Sequence, residues 1–164
     1  MRNRMALSNG QKPIVHFSLL GLLPDGHRLA CNRVLGTIAL LTDEQNHPCM
    51  VAEEQFTSTE MRVLLPLLEH YQATSASAPP SYCPHEVLLA YWTHGHVTSD
   101  QVVHCREHLR EAQETGIWDL EMRPIRNMVS RVRLKIRAFG LDVSSILNVG
   151  YMLMRVEQAN VWRK

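Results

Sequence analysis

The chain has 164 residues, of which 45% are hydrophobic and 20% charged, and its formal net charge is +1. That length supports one globular domain with a buried core and excludes a complete β/α barrel or two full domains. The near-neutral total hides a segregation that predicts a polyanion-binding face near the C-terminus: residues 121–164 hold nine Lys/Arg and three Asp/Glu (net +6), and residues 1–120 hold eight and thirteen (net −5).

Residues 1–12 are polar and are expected to form a flexible N-terminus. The apolar run Ile14–Leu23 follows Arg2 and Arg4, as in a signal segment. His16 and Ser18 interrupt it, Pro24-Asp25-Gly26 ends it, and it is too short to span a bilayer. It reads as a buried strand in a cytoplasmic protein with no membrane partner. Cys31, Cys49, Cys83 and Cys105 form no CxxC pair and read as free thiols of a reducing compartment. Val34–Thr42 is a second strand-like run, ended by the polar stretch 43–48, and Cys49–Ala52 is a short third. The 13–55 region thus predicts a small antiparallel sheet that needs a helical cover.

Helices are expected over residues 57–139. Thr57-Ser58-Thr59-Glu60 is a capping box, and Met61, Leu64, Leu65 and Leu68 follow on one helical face. Pro66 predicts a kink or an early end. The Ser/Ala/Pro-rich stretch 73–82 reads as a loop. Pro84 and Gly95 suit the start and end of a second helix, with Val87, Leu88, Tyr91 and Trp92 at apolar spacing. Thr98 and Gln101 form another capping box, opening a third helix to Thr115 with Val102, Cys105, Leu109 and Ala112 inward. A fourth helix is expected from Pro124 to Phe139, stopped by Gly140. Residues 142–154 read as a terminal β-hairpin, and 157–164 as a tail in which Trp162 anchors to the body or meets a partner.

The fourth helix is the most informative segment. Arg123–Arg137 holds six basic residues and no acidic one. At 100° per residue, Ile125, Met128, Val129, Val132 and Ile136 share one side. Arg123, Asn127, Ser130, Arg131 and Leu134 share the other, flanked by Arg126, Arg133, Lys135 and Arg137. One face can dock on a core while the other presents cations and hydrogen-bond donors to a DNA major groove, where arginine pairs with guanine and asparagine with adenine. A solvated basic face, or a patch for an acidic protein, accounts for the same pattern.

The order of elements, with four local motifs, resembles the DNA-binding domain of OmpR/PhoB-type response regulators. Phe56–Leu64 is similar to the opening of that family's first helix, and Glu86–Trp92 to its second. Val129–Ile136 is similar to its recognition helix, and Val149-Gly150-Tyr151-Met152-Leu153 to its wing. The resemblance implies an α+β fold, a winged helix-turn-helix over residues 13–156. It would comprise a small N-terminal sheet, three core helices, one inserted helix and a C-terminal hairpin wing at 142–154. It implies a bacterial, cytoplasmic transcription regulator that binds double-stranded DNA, carries out no chemistry and needs no cofactor. The recognition helix, about residues 124–138, would place Asn127, Ser130 and Arg131 at base edges, with Leu134 on the same face. Arg123, Arg126, Arg133, Lys135 and Arg137 would hold phosphates or the helix flank, and Asn148 and Tyr151 would lie in the wing. RNA polymerase and a second copy of the chain are the further partners it implies.

Three departures accompany the resemblance. The length leaves no room for a receiver domain, so phosphorelay control is not expected. Leu147-Asn148 stands where the family has a wing arginine, which Arg155 could replace only in a suitable hairpin register. The inserted helix near 99–115 has no family counterpart and could be a partner surface, a dimer contact or packing. Two other functional readings stay open. A winged helix can serve as a protein-interaction or dimerisation module, and His94, His96, His104 and His108 near Cys105 could make a metal-sensing regulator. The string His104-Cys105-Arg106-Glu107-His108 matches a zinc-peptidase pattern, but without a third ligand or a large cleft it reads as coincidence.

Overall fold

A computed structural model describes residues 13–72 and 81–157. The readings of a flexible 1–12 segment, a loop through 73–80 and a tail around Trp162 lie outside the described residues. Among the described residues the fold is mixed α+β, with four α-helices and two antiparallel sheets.

The first sheet is a meander of β1 (Ile14–Phe17), β2 (His27–Asn32), β3 (Thr37–Glu44) and β4 (His47–Gln55). Leu29 lies opposite Leu40, and Cys31 opposite Ile38, so the inward rows of β2 and β3 meet as cross-strand pairs. All four are buried. Three expectations for this region change. The run Ile14–Leu23 is strand only as far as Phe17. Beyond it Leu19 and Gly21 take positive φ, and the chain turns, with the Leu22 N–H donating to the Leu19 carbonyl at 2.9 Å. Leu19, Leu22 and Leu23 enter the core from that turn, so the apolarity belongs to a buried loop. Val34, expected to begin a strand, lies exposed in the β2–β3 turn, where Asn32 Oδ1 accepts from the Val34 and Leu35 N–H groups. The polar stretch 43–48 does not end the sheet: Gln45 and Asn46 make a tight hairpin with φ of 53° and 67°, and β4 continues through nine residues.

Helix α1 (Ser58–Gln72) opens on the expected capping box. The Thr57 N–H donates to Glu60 Oε2 at 2.9 Å, and the Glu60 N–H to Thr57 Oγ1 at 3.2 Å. The helix runs through Pro66 without an early end, because buried Val63, Leu64, Leu67 and Leu68 tie both sides of the proline to the core. A two-residue strand, β5 (Cys83–Pro84), precedes α2 (His85–His94), which ends on Gly95 in the left-handed conformation. Helix α3 (Ser99–Glu114) begins on Thr98 with both halves of its capping box formed and buries Cys105, Leu109 and Ala112.

Helix α4 (Trp118–Ile136) starts six residues before the expected Pro124, which becomes an interior proline. Met122 and Ile125, both fully buried, hold the turns around that proline against the core and so extend the helix backwards. A single 3-10 turn (Arg137–Phe139) leads to β6 (Leu141–Ile146) and β7 (Gly150–Arg155), the expected hairpin. The second sheet has the order β5-β7-β6. One hydrophobic core joins the inner face of the first sheet, all four helices and this hairpin. No described helix is long and apolar enough to cross a membrane.

Candidate nucleic-acid interface

Helix α4 is positioned by its apolar stripe. Met122, Ile125, Val129, Val132 and Ile136 recur at three- and four-residue intervals and are buried, and Met128 is half-buried. The opposite side therefore faces outward, and Arg123, Asn127, Ser130, Arg131 and Leu134 are all exposed there. Leu134 is 71% exposed between cations. The sequence-derived face exists as a surface.

The flanking cations are disposed differently from the expectation. Arg126 donates to Asp119 Oδ1 at 2.9 Å and to the Asp119 carbonyl at 3.0 Å. Arg133 donates from Nε to Asp142 Oδ1 at 2.8 Å, and Arg137 approaches Asp142 Oδ2 at 3.6 Å. Asp142 is 1% exposed, and Oδ1 also accepts from the Val143 N–H at 2.7 Å. Lys135 donates to Glu60 Oε2 and to the Gln55 carbonyl, each at 2.7 Å, and lies over the Phe56 ring. Burial pushes the Glu60 carboxyl up, but hydrogen bonds from Lys135 and Thr57 outweigh it and hold the group below the usual carboxylate range. Arg133 and Lys135 are thus structural ties to buried carboxylates rather than free phosphate ligands. Arg123 and Arg131 make no hydrogen bond or ion pair with any described residue. No signal in the α4 sequence alone distinguishes the tied cations from the free ones, because the partners Glu60, Asp119 and Asp142 lie on other segments or other turns.

The β6–β7 turn lies beside the first half of α4. Asn148 is exposed at its tip with φ of 62°, and it lines one cleft together with Arg126 and Asp119. Leu147, next to it, is 85% exposed. Tyr151 is not on the outer face: it is buried, with its ring edge-on to His85 at 5.6 Å. Arg155 does not supply a wing-tip cation. It pairs in register with Leu141 at the hairpin base, and its Nε donates to the Gly21 carbonyl at 2.9 Å.

The histidines near α3 do not converge. Among the described residues no group of three or more His, Cys, Asp or Glu side chains could hold a metal ion. His96 contacts Gln101, and His108 pairs with Glu121 at 3.0 Å. Cys31, Cys83 and Cys105 are buried, and burial pushes each thiol up, whereas Cys49 is exposed.

Compared with protein-family models, curated proteins and solved structures, the chain matches none.

Proposed function

We propose that the chain is a sequence-specific double-stranded DNA-binding regulator of transcription. In this reading it is a winged helix-turn-helix of OmpR/PhoB type, with α4 in the major groove and the β6–β7 hairpin at the adjacent backbone. The observation that carries the reading is the outer face of α4, where Arg123 and Arg131 stand on either side of Asn127 without partners among the described residues. Those side chains are the types that read guanine and adenine edges. The order of sheet, helices and hairpin supports it, since that order leaves α4 as the last helix with one face free. The function is binding without chemistry, in the bacterial cytoplasm that the resemblance implies.

The test is selection from a random duplex library, followed by binding of winners and scrambled duplexes at two salt concentrations. One enriched motif, bound far better than scrambled DNA, is the expected result, and its half-site spacing reports whether two copies bind together. A second reading is favoured by one feature: Leu120 and Leu134, 56% and 71% exposed, lie on the same helix face as those cations, and Leu147 at the hairpin turn is 85% exposed. Such a surface suits an acidic, apolar protein segment. Absence of DNA binding at low salt would select that reading.

A further inference from the structure

A second site lies where the hairpin turn, the start of α4 and the end of α3 meet. A cleft of about 500 Å³ opens there, within the range of small-molecule pockets. His85, Trp118 and Tyr151 form its aromatic wall, with His85 at 5.1 Å from Trp118 and 5.6 Å from Tyr151, both edge-on. Arg126, Asp119 and Asn148 give it a polar rim. His85 is only 7% exposed, yet its ring nitrogens make no hydrogen bond with any described residue. Its nitrogens are not sealed from solvent, so the imidazole presents an unpartnered polar edge to the cleft.

We propose that this cleft binds a small planar aromatic molecule carrying a hydroxyl or ring nitrogen on its edge, with that polar atom hydrogen-bonded to the His85 imidazole. The edge-on aromatic wall suits a flat apolar ring. A neutral imidazole supplies one donor and one acceptor, which a phenol or hydroxypyridine edge complements. Burial lowers the proton affinity of His85, so the ring is neutral at pH 7 and does not demand an anion. The cleft shares Arg126, Asn148 and the β6–β7 turn with the proposed DNA interface but not Arg123, Asn127 or Arg131, and ligand binding is read on the free protein without DNA. Its failure is therefore distinguishable from failure of the DNA reading.

The experiment is a titration of the ¹⁵N-labelled full chain with phenol, 3-hydroxypyridine and toluene, followed by amide chemical shifts. Toluene matches phenol in shape without its hydrogen bond. Phenol and 3-hydroxypyridine are expected to shift resonances of residues 85, 118 and 145–151, with toluene about tenfold weaker. His85→Phe should abolish the preference for phenol over toluene. Ser145→Trp, at an exposed position on the cleft, should block all three probes with the fold intact, and it carries the test if His85→Phe does not fold. Absence of shifts at these residues, equal affinity for phenol and toluene, or unchanged binding to the Ser145→Trp protein would each overturn the proposal.

Discussion

Arg131 and Arg133 are two residues apart in sequence but perform different tasks. Arg131 is exposed and has no partner among the described residues, whereas Arg133 pairs with the buried carboxylate of Asp142. Removing Arg133 strips that carboxylate of its hydrogen-bonding cation and leaves Arg137, 3.6 Å from Oδ2, so the cost falls at the low end of the range for a broken buried pair. Arg133→Ala is therefore expected to cost about 3 kcal/mol, or roughly 10 °C in melting temperature. Arg131→Ala should leave melting within about 0.5 kcal/mol of the parent while weakening the selected DNA site by about 2 kcal/mol. Thermal melts and duplex titrations of the two variants check this contrast, and equal melting temperatures would refute the structural role of Arg133. Glu60 provides a pH test. Its folded carboxyl binds a proton less readily than the unfolded one, so the unfolded state takes up more protons in acid. That stabilisation is present above the unfolded value of about 4.3 and is lost as pH falls through the lower folded value. Lys135→Met removes the main stabiliser of the carboxylate. Its melting temperature should fall below the parent's at pH 7, and the gap should close as pH falls through the lowered folded value. A gap that stays constant with pH would show that Lys135 acts through packing alone.

At the scale of elements, the smallest one determines where the hairpin docks. The strand β5 pairs Cys83 with Tyr151 and Pro84 with Gly150. A Cβ on Gly150 would lie 2.0 Å from the Cys83 carbonyl oxygen and 2.9 Å from Pro84 Cα, both backbone atoms that cannot swing away. Gly150→Ala is expected to cost about 3 kcal/mol. It should also accelerate amide exchange in β7 relative to α1, and native-like exchange in β7 would show that the approach is looser than the geometry says. The wing motif around Gly150 was legible in the sequence, but the strand that makes its glycine necessary was not, because two residues carry no periodicity. The capping boxes at Thr57 and Thr98 were legible because each is completed within four residues. Strand β2 was missed: it follows a turn signal, and its alternating Leu29 and Cys31 are diluted by His27, Arg28 and Asn32. Pro124 misplaced the start of α4, since local propensity favours proline at a first turn while Met122 and Ile125 extend the helix through it by tertiary packing. The outward face of α4 was legible from a single helical wheel. Which of its cations are free was not, because that depends on carboxylates reached only by folding.

For the molecule as a whole, the charge segregation along the chain is partly cancelled by the fold. Of the six cations in Arg123–Arg137, four are tied to carboxylates: Arg126 to Asp119, Arg133 and Arg137 to Asp142, and Lys135 to Glu60. Only Glu60, on α1, lies in a separate part of the acidic N-terminal 120 residues, whereas Asp119 sits on α4 itself and Asp142 on β6; the Lys135–Glu60 pair is therefore the tie between the basic end and the acidic body. Only Arg123 and Arg131 remain free among the described cations of this helix. Each phosphate neutralised contributes about −0.9 to the slope of log K against log salt. Two free arginines give a slope of about −2 per protein, whereas engagement of all six cations gives about −5. The ties favour the shallow slope, because opening Arg133 and Arg137, or Lys135, toward phosphates would strip the buried Asp142 or Glu60 of its cations. Measuring affinity for one duplex across a salt series, with stoichiometry fixed by ultracentrifugation, separates the two cases. A slope near −5 for a single bound copy would mean that DNA competes successfully for the internal ion pairs. The melting temperature of the complex would then depend on Asp142 far less than that of the free protein. A slope near −2 would mean that affinity must come from base contacts and from a second copy on an adjacent half-site, since two phosphate contacts supply little non-specific binding at physiological salt.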